Sequence, residues 1–262
     1  MKLISLLMVL ALPCLLLAQN TAVHPLEGTW KMTTAKWGKM KEHKQTKRDI
    51  YKIFTKDKYF FIYYNDQKFS GAGGGDYTVE GNTFKSTNAY YSWDSTAVGK
   101  TQTFNWVIEG NTLHQFGLIK GADKYDNYVI DEYYERVEDG IGQNEHPLVG
   151  VWQVEEATYG NETTSAANSR WQVNKIFTDK FWYITYFDPK TGGFNGAGFG
   201  TYALKDNEYH ETIEAFSWDQ TAVGQTNTFS MKIEPETLVQ KGEINTDEYQ
   251  NYTIIERFKR IE

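Results

Sequence analysis

Cysteine is almost missing from this chain: its 262 residues contain one, Cys14. That residue lies in the opening stretch "MKLISLLMVLALPCLLLA", where Lys2 precedes an apolar run that ends on the small residue Ala18. The arrangement predicts a secretory signal peptide over residues 1–18. The run is short for a bilayer, and no second one follows, so no membrane span is expected. Lipid attachment at Cys14 calls for small residues ahead of it, where Leu12 and Pro13 stand. Cleavage after Ala18 leaves no cysteine at all, which excludes disulfides and thiol chemistry from the exported protein. The expected location is periplasmic, secreted or on the outer surface.

Positive charge is also short. Lys and Arg number 27 against 34 Asp and Glu, a formal charge of −7 that becomes −8 once Lys2 is removed. That balance argues against nucleic acid as a partner. The five histidines, at 24, 43, 114, 146 and 210, show neither H-x-H nor H-E-x-x-H spacing, so no metal site and no cofactor are expected. His24 and His146 each precede a proline at matching positions and read as structural. No stretch of a dozen residues beyond the opening segment has helical period. The glycines of "GAGGGD" and "GAGFGT" are followed by neither a helix signal nor Lys-Ser/Thr, so they predict strand bulges rather than a phosphate cradle.

What is abundant is aromatic: 16% of the chain, a composition that suits half-buried strands. It is also duplicated. "HPLEGTW" (His24–Trp30) returns as "HPLVGVW" (His146–Trp152), and "KIFT" at Lys52 returns at Lys175. "SWDSTAVGKTQTF" at Ser92 returns as "SWDQTAVGQTNTF" at Ser217, and "YDNYVIDEYYERVE" at Tyr125 as "YQNYTIIERFKRIE" at Tyr249. Two domains follow, over 24–138 and 146–262, joined by a Gly-containing linker at 139–145. Turn signals such as "EGNT" at Glu80 and Glu109 divide the first copy into about eight strands. They start near Thr29, Arg48, Lys58, Phe69, Asn82, Lys100, Asn111 and Tyr125. The prediction is all-β, two tandem antiparallel up-and-down β-barrels, each wide enough for packed side chains or one small ligand.

Gly28-Thr-Trp30 and Gly150-Val-Trp152 each open a first strand, and Arg136 and Arg260 stand late in each last strand. The pattern resembles the G-x-W signature and terminal arginine of lipocalins and the wider calycin group. In its tandem form it resembles exported lipocalin-like domains of Bacteroidetes. The resemblance implies a structural role for Trp30, Arg136, Trp152 and Arg260, with each guanidinium stacked on an indole. It also implies a barrel interior that holds a small molecule.

Matching Phe60, Ile62 and Tyr64 with Trp182, Ile184 and Tyr186, and Trp106 with Met231, assigns these side chains to the interior. In the last strands Glu132 and Glu256 share a face with apolar neighbours, where a carboxylate needs a partner. Gln115 and Gln240 stand at matching points of the seventh strands. The expected ligand contacts are therefore Tyr64, Trp106, Trp182, Tyr186 and Met231 as apolar walls, with Gln115, Glu132, Gln240 and Glu256 as polar contacts. Two other classes stay open. An isomerase, cyclase or hydrolase would use Glu256, Glu211 and His210 of the second copy, where the first has "FKSTNA" in place of "YHETIE". A glycan or protein interaction module would use exposed Trp93 and Trp218. The basic loop with six Lys/Arg from Lys36 to Arg48 has a neutral counterpart in the second copy. Asp94 and Asp219 are expected to cap the repeated "SWD" corner. Nothing in the sequence sets the oligomeric state.

Overall fold

The computed structural model describes residues 24–139, 146–205, 208–245 and 249–262. The expected signal peptide lies outside these residues, as does the linker apart from Asp139, which ends a strand. The first half forms β1 (Gly28–Trp37), a short β2 (Lys44–Gln45), β3 (Asp49–Phe54), β4 (Lys58–Asn65), β5 (Lys68–Glu80), β6 (Thr83–Tyr91), β7 (Thr101–Glu109), β8 (Thr112–Ile119) and β9 (Tyr128–Asp139). The second half repeats it. Its strands are β10 (Gly150–Tyr159), β11 (Glu162–Ser165), β12 (Gln172–Phe177), β13 (Phe181–Phe187), β14 (Phe194–Lys205), β15 (Glu208–Phe216), β16 (Thr226–Ile233), β17 (Thr237–Ile244) and β18 (Tyr252–Arg260).

Neighbours pair antiparallel in order, and β1–β9 and β10–β18 pairing closes each sheet on itself. Each barrel therefore has eight strands, as expected. The sequence signals did not reveal β2 and β11, which add only a short edge to β1 and β10. Glu80 faces Thr83 and Glu109 faces Thr112 across two-residue hairpins, with Gly81 and Gly110 at φ +58°. The strand glycines make bulges. A Cβ on Gly75 would lie 1.9 Å from the Thr87 carbonyl, and one on Gly200 1.9 Å from that of Thr212, beside a register shift in each barrel.

One end of each barrel is closed by the pair that the resemblance implied. The Arg136 guanidinium lies 4.0 Å from the Trp30 ring centre and that of Arg260 4.1 Å from Trp152. Each indole N–H donates four residues back, to Leu26 O at 2.8 Å and Leu148 O at 2.7 Å. The arginines donate to carbonyls of the entry loops, Glu27 and Pro25 in one copy, Val149 and Pro147 in the other. The repeated "SWD" stretch is a corner built twice. Asp94 accepts from Thr96 N–H at 3.0 Å and Asp219 from Thr221 N–H at 2.8 Å, each capping one 3-10 turn.

The barrels pack on each other through a third apolar cluster, separate from either interior. Phe60, Ile62, Tyr64 and Tyr90 meet Phe181, Tyr183, Phe187 and Phe199 there. Strand pairing makes Phe60 equivalent to Tyr183 and Phe69 equivalent to Phe194. These equivalent rings touch each other, at 5.7 Å and 5.9 Å between centres. Contact between like positions is the mark of an approximate twofold arrangement. Tyr90 and Tyr183 join hydroxyls at 2.8 Å, and Tyr64 donates to Glu214 at 2.8 Å.

Carboxylates at the ends of the last strands extend this arrangement. Glu138 accepts from Thr29 at 2.8 Å and interacts with Thr178 and Lys180 of the other barrel. Glu262, at the equivalent place, accepts from the Lys56 N–H in the turn of the first barrel. Burial, with Asp57 adding to it and Thr55 and Lys56 N–H opposing, pushes the Glu262 carboxyl from the usual 4.5 up to about 7. A folded value above the unfolded one means that this stabilisation is complete below about pH 4.5 and is lost as pH rises through about 7. The stability of wild type relative to Glu262→Gln is expected to fall between pH 5 and 8 by on the order of 1 kcal/mol, after discounting for solvent screening. Paired urea titrations at the two pH values measure it, and an unchanged difference counts against the assignment.

Candidate functional site

A lysine buried in each barrel organises the interior. Lys52 on β3 and Lys175 on β12 are 7% and 2% exposed, amid strands whose other inward residues are apolar. Such a charge persists only with partners. Lys52 donates to Gln115 Oε1 at 2.6 Å and lies 3.7 Å from Glu132. Glu132 also accepts from Trp37 Nε1 at 2.7 Å and from the Tyr134 hydroxyl at 2.6 Å. Burial lowers the Lys52 pKa, with Glu132 opposing. Above this cluster is a cavity of about 170 Å³, walled by Tyr59, Phe61, Tyr63, Tyr91 and Trp93, with Arg48 and Tyr128 also on its lining.

The second barrel keeps the lysine and rearranges its partners. Lys175 donates to Glu211 at 2.9 Å and to Gln240 Oε1 at 3.0 Å. Tyr209 donates to Glu211 at 2.9 Å, and Tyr159 donates to Glu256 at 2.7 Å while its hydroxyl also meets that of Tyr186. Where the first barrel has Ser86, Phe84 and Tyr134, the second has Glu211, Tyr209 and Phe258. The supporting hydroxyl thus moves with the carboxylate that it serves. Burial pushes the Glu256 carboxyl up, Glu211 adds to this, and Lys175 and the Tyr159 hydroxyl oppose it. The cavity here is about 290 Å³, with Trp182, Ile184, Tyr186, Phe216, Trp218 and Phe229 on its wall.

Of the expected ligand contacts, Gln115 and Glu132 line the first cavity, and Trp182, Tyr186, Gln240 and Glu256 line the second. Glu211 joins them, as the catalytic alternative required, but four residues lie elsewhere. Tyr64 faces the other barrel. Pairing of Phe54 with Tyr59 and of Phe177 with Trp182 shows that Tyr63, not Tyr64, is the counterpart of Tyr186. A one-residue slip in matching β4 to β13 reverses every side chain. Trp106 packs edge-on against His24, 5.7 Å between ring centres, and does not reach the cavity. Met231 packs against the second core without lining its cavity. His210 bonds Thr228 at 2.9 Å and lies near Glu208, outside the cavity lining.

Trp93 and Trp218 are half-buried at the cavities rather than displayed on the surface. Each lies flat on a glycine. A Cβ at Gly71 would stand 2.0 Å from the Trp93 ring, and one at Gly196 2.2 Å from that of Trp218. Lys52, Lys175, Trp37 and Tyr159 were missed. For the lysines the signal was the repeated "KIFT", in which one charge interrupts an apolar strand at the same place in both copies.

Two closed eight-strand barrels, each shut by a Trp–Arg pair and hollow above a buried polar cluster, define the class as tandem lipocalin-like domains. The sequence profile of a domain of unknown function (DUF4488) matches residues 147–262, the second barrel. No curated protein matches the chain. Among solved structures it is similar to a lipocalin-like protein from Bacteroides uniformis at 20% identity, with 44% of this chain and 100% of that one covered and a TM-score of 0.31. It is also similar to a Nostoc punctiforme protein of unknown function from the DUF3598 family. Identity there is 8%, coverage 90% of this chain and 96% of that one, and the TM-score 0.26. Among the described residues, no helix is long and apolar enough to cross a membrane.

Proposed function

We propose that this protein is exported and binds small, largely apolar or aromatic molecules inside its barrels. The observation that carries the binding reading is the cavity in each barrel, aromatic on its walls and polar at a few buried points. That division of labour is the one ligand pockets use: apolar area for affinity and a few hydrogen-bonding groups for orientation. A 150 Å³ apolar cavity is about enough for benzene, so these cavities suit compounds of one or two rings. The N-terminal apolar stretch and the single cysteine within it support export.

Native mass spectrometry of protein purified from its own source tests the reading. The expected result is one or two retained small-molecule masses per chain, or uptake of indole by the emptied protein. A bare chain that takes up no indole sinks it. A catalytic role has one observation in its favour, the raised Glu256 carboxyl on the cavity wall. It requires turnover of a retained compound that stops in Glu256→Gln.

A further inference from the structure

The two cavities carry opposite charge. Arg48, Lys52 and Glu132 line the first, whereas Lys175, Glu211, Glu256 and the corner residue Asp219 line the second. Cations outnumber carboxylates in one barrel, and carboxylates outnumber cations in the other. The hydrogen bonds sharpen the difference. Lys175 is committed to Glu211 and Gln240, and Tyr209 also serves Glu211. Glu256, 3% exposed, accepts only from Tyr159 among the described residues, and no described lysine, arginine or histidine nitrogen lies within ion-pair distance of it. Its counterpart Glu132 has Trp37, Tyr134 and a lysine 3.7 Å away.

We propose that the second cavity takes a small aromatic or apolar molecule bearing a protonated amine, with its ammonium against Glu256. This rests on the binding function proposed above and names the ligand chemistry for one of the two sites. The neighbouring walls fit such a group, because Trp182, Tyr186, Phe216 and Trp218 offer π faces that attract a cation. Burial already penalises a Glu256 carboxylate on the cavity wall, and an ammonium beside it reverses that penalty. About 290 Å³ accommodates a ring with a two-carbon chain. The first barrel, with Lys52 close to Glu132 and Arg48 on its lining, lacks this unbalanced carboxylate.

Calorimetric titration of the whole protein at pH 7.5 with 2-phenylethylamine, 2-phenylethanol and 3-phenylpropionate separates the possibilities, since the three differ only in the terminal group. The amine is expected to bind at least tenfold tighter than the alcohol, and the carboxylate weakest at this site. In Glu256→Gln the preference for amine over alcohol should shrink to twofold or less, whereas His210→Ala, outside the cavity, should leave it unchanged. Equal binding of amine and alcohol by wild type overturns the charge assignment and leaves cavity binding standing. If none of the three binds and indole does not either, both readings fall. The wild-type comparison decides the matter even if Glu256→Gln does not fold.

Discussion

Trp152→Ala is expected to lower the unfolding free energy by about 3–5 kcal/mol, the range for truncating a fully buried indole. Three losses coincide at this position. The ring is completely buried, so its removal leaves a cavity at the closed end of the barrel. The Leu148 carbonyl loses the N–H that reaches it at 2.7 Å. Arg260 loses the face on which it rests, 4.1 Å from ring centre to guanidinium carbon. Trp152→Phe separates these contributions, because it retains much of the bulk and discards the hydrogen bond, at an expected cost of about 1–2 kcal/mol. Urea unfolding followed by circular dichroism measures both. Equal costs for the two substitutions would mean that the hydrogen bond, and not the packing, holds this end shut.

Lys175→Ala is the second large effect, about 3–5 kcal/mol, because breaking a buried charge cluster leaves its other members uncompensated. Glu211 and Glu256 would then share one side of a barrel with no cation bonded to either. The folded pKa of Glu256, already raised by burial, should rise further. A raised folded value gives stability that is present at low pH and lost as pH rises, so the deficit of this variant should widen from pH 5 to 8. Lys52→Ala should cost less. Glu132 keeps its bonds from Trp37 and Tyr134, and no second carboxylate stands at Ser86. A Lys175 deficit that does not change with pH would refute the carboxylate explanation.

The duplication made the fold legible before any coordinates. Strand starts expected near Lys58, Phe69, Lys100 and Asn111 fall at Lys58, Lys68, Thr101 and Thr112. Stretches whose spacing is kept in both copies reveal turns as well as strands, whereas the barrel closure by Trp30 and Arg136 was implied by the resemblance. The interior of β4 could not be read. "KYFFIYY" is apolar on both faces because one face lines a cavity and the other packs on the second barrel. Alternation therefore distinguishes nothing there: a match slipped by one residue still sets apolar against apolar, although the β3–β4 and β12–β13 turns are equal in length. The buried lysines were hidden for a related reason: a lone lysine in a strand is by default a surface residue. Only the closed barrel shows that Lys52 and Gln115, 63 positions apart, touch.

The aromatic seam between the barrels bears on survival as well as on assembly. Tyr90 and Tyr183 are buried only while both halves are folded, so opening one barrel strips apolar cover from the other. The halves are thus expected to melt in a single transition. Any molecule held in the second cavity then adds its binding free energy to the whole chain, about 2.7 kcal/mol at a hundredfold excess over its Kd. A protease waiting for the first barrel to open would be slowed by a ligand that never touches it.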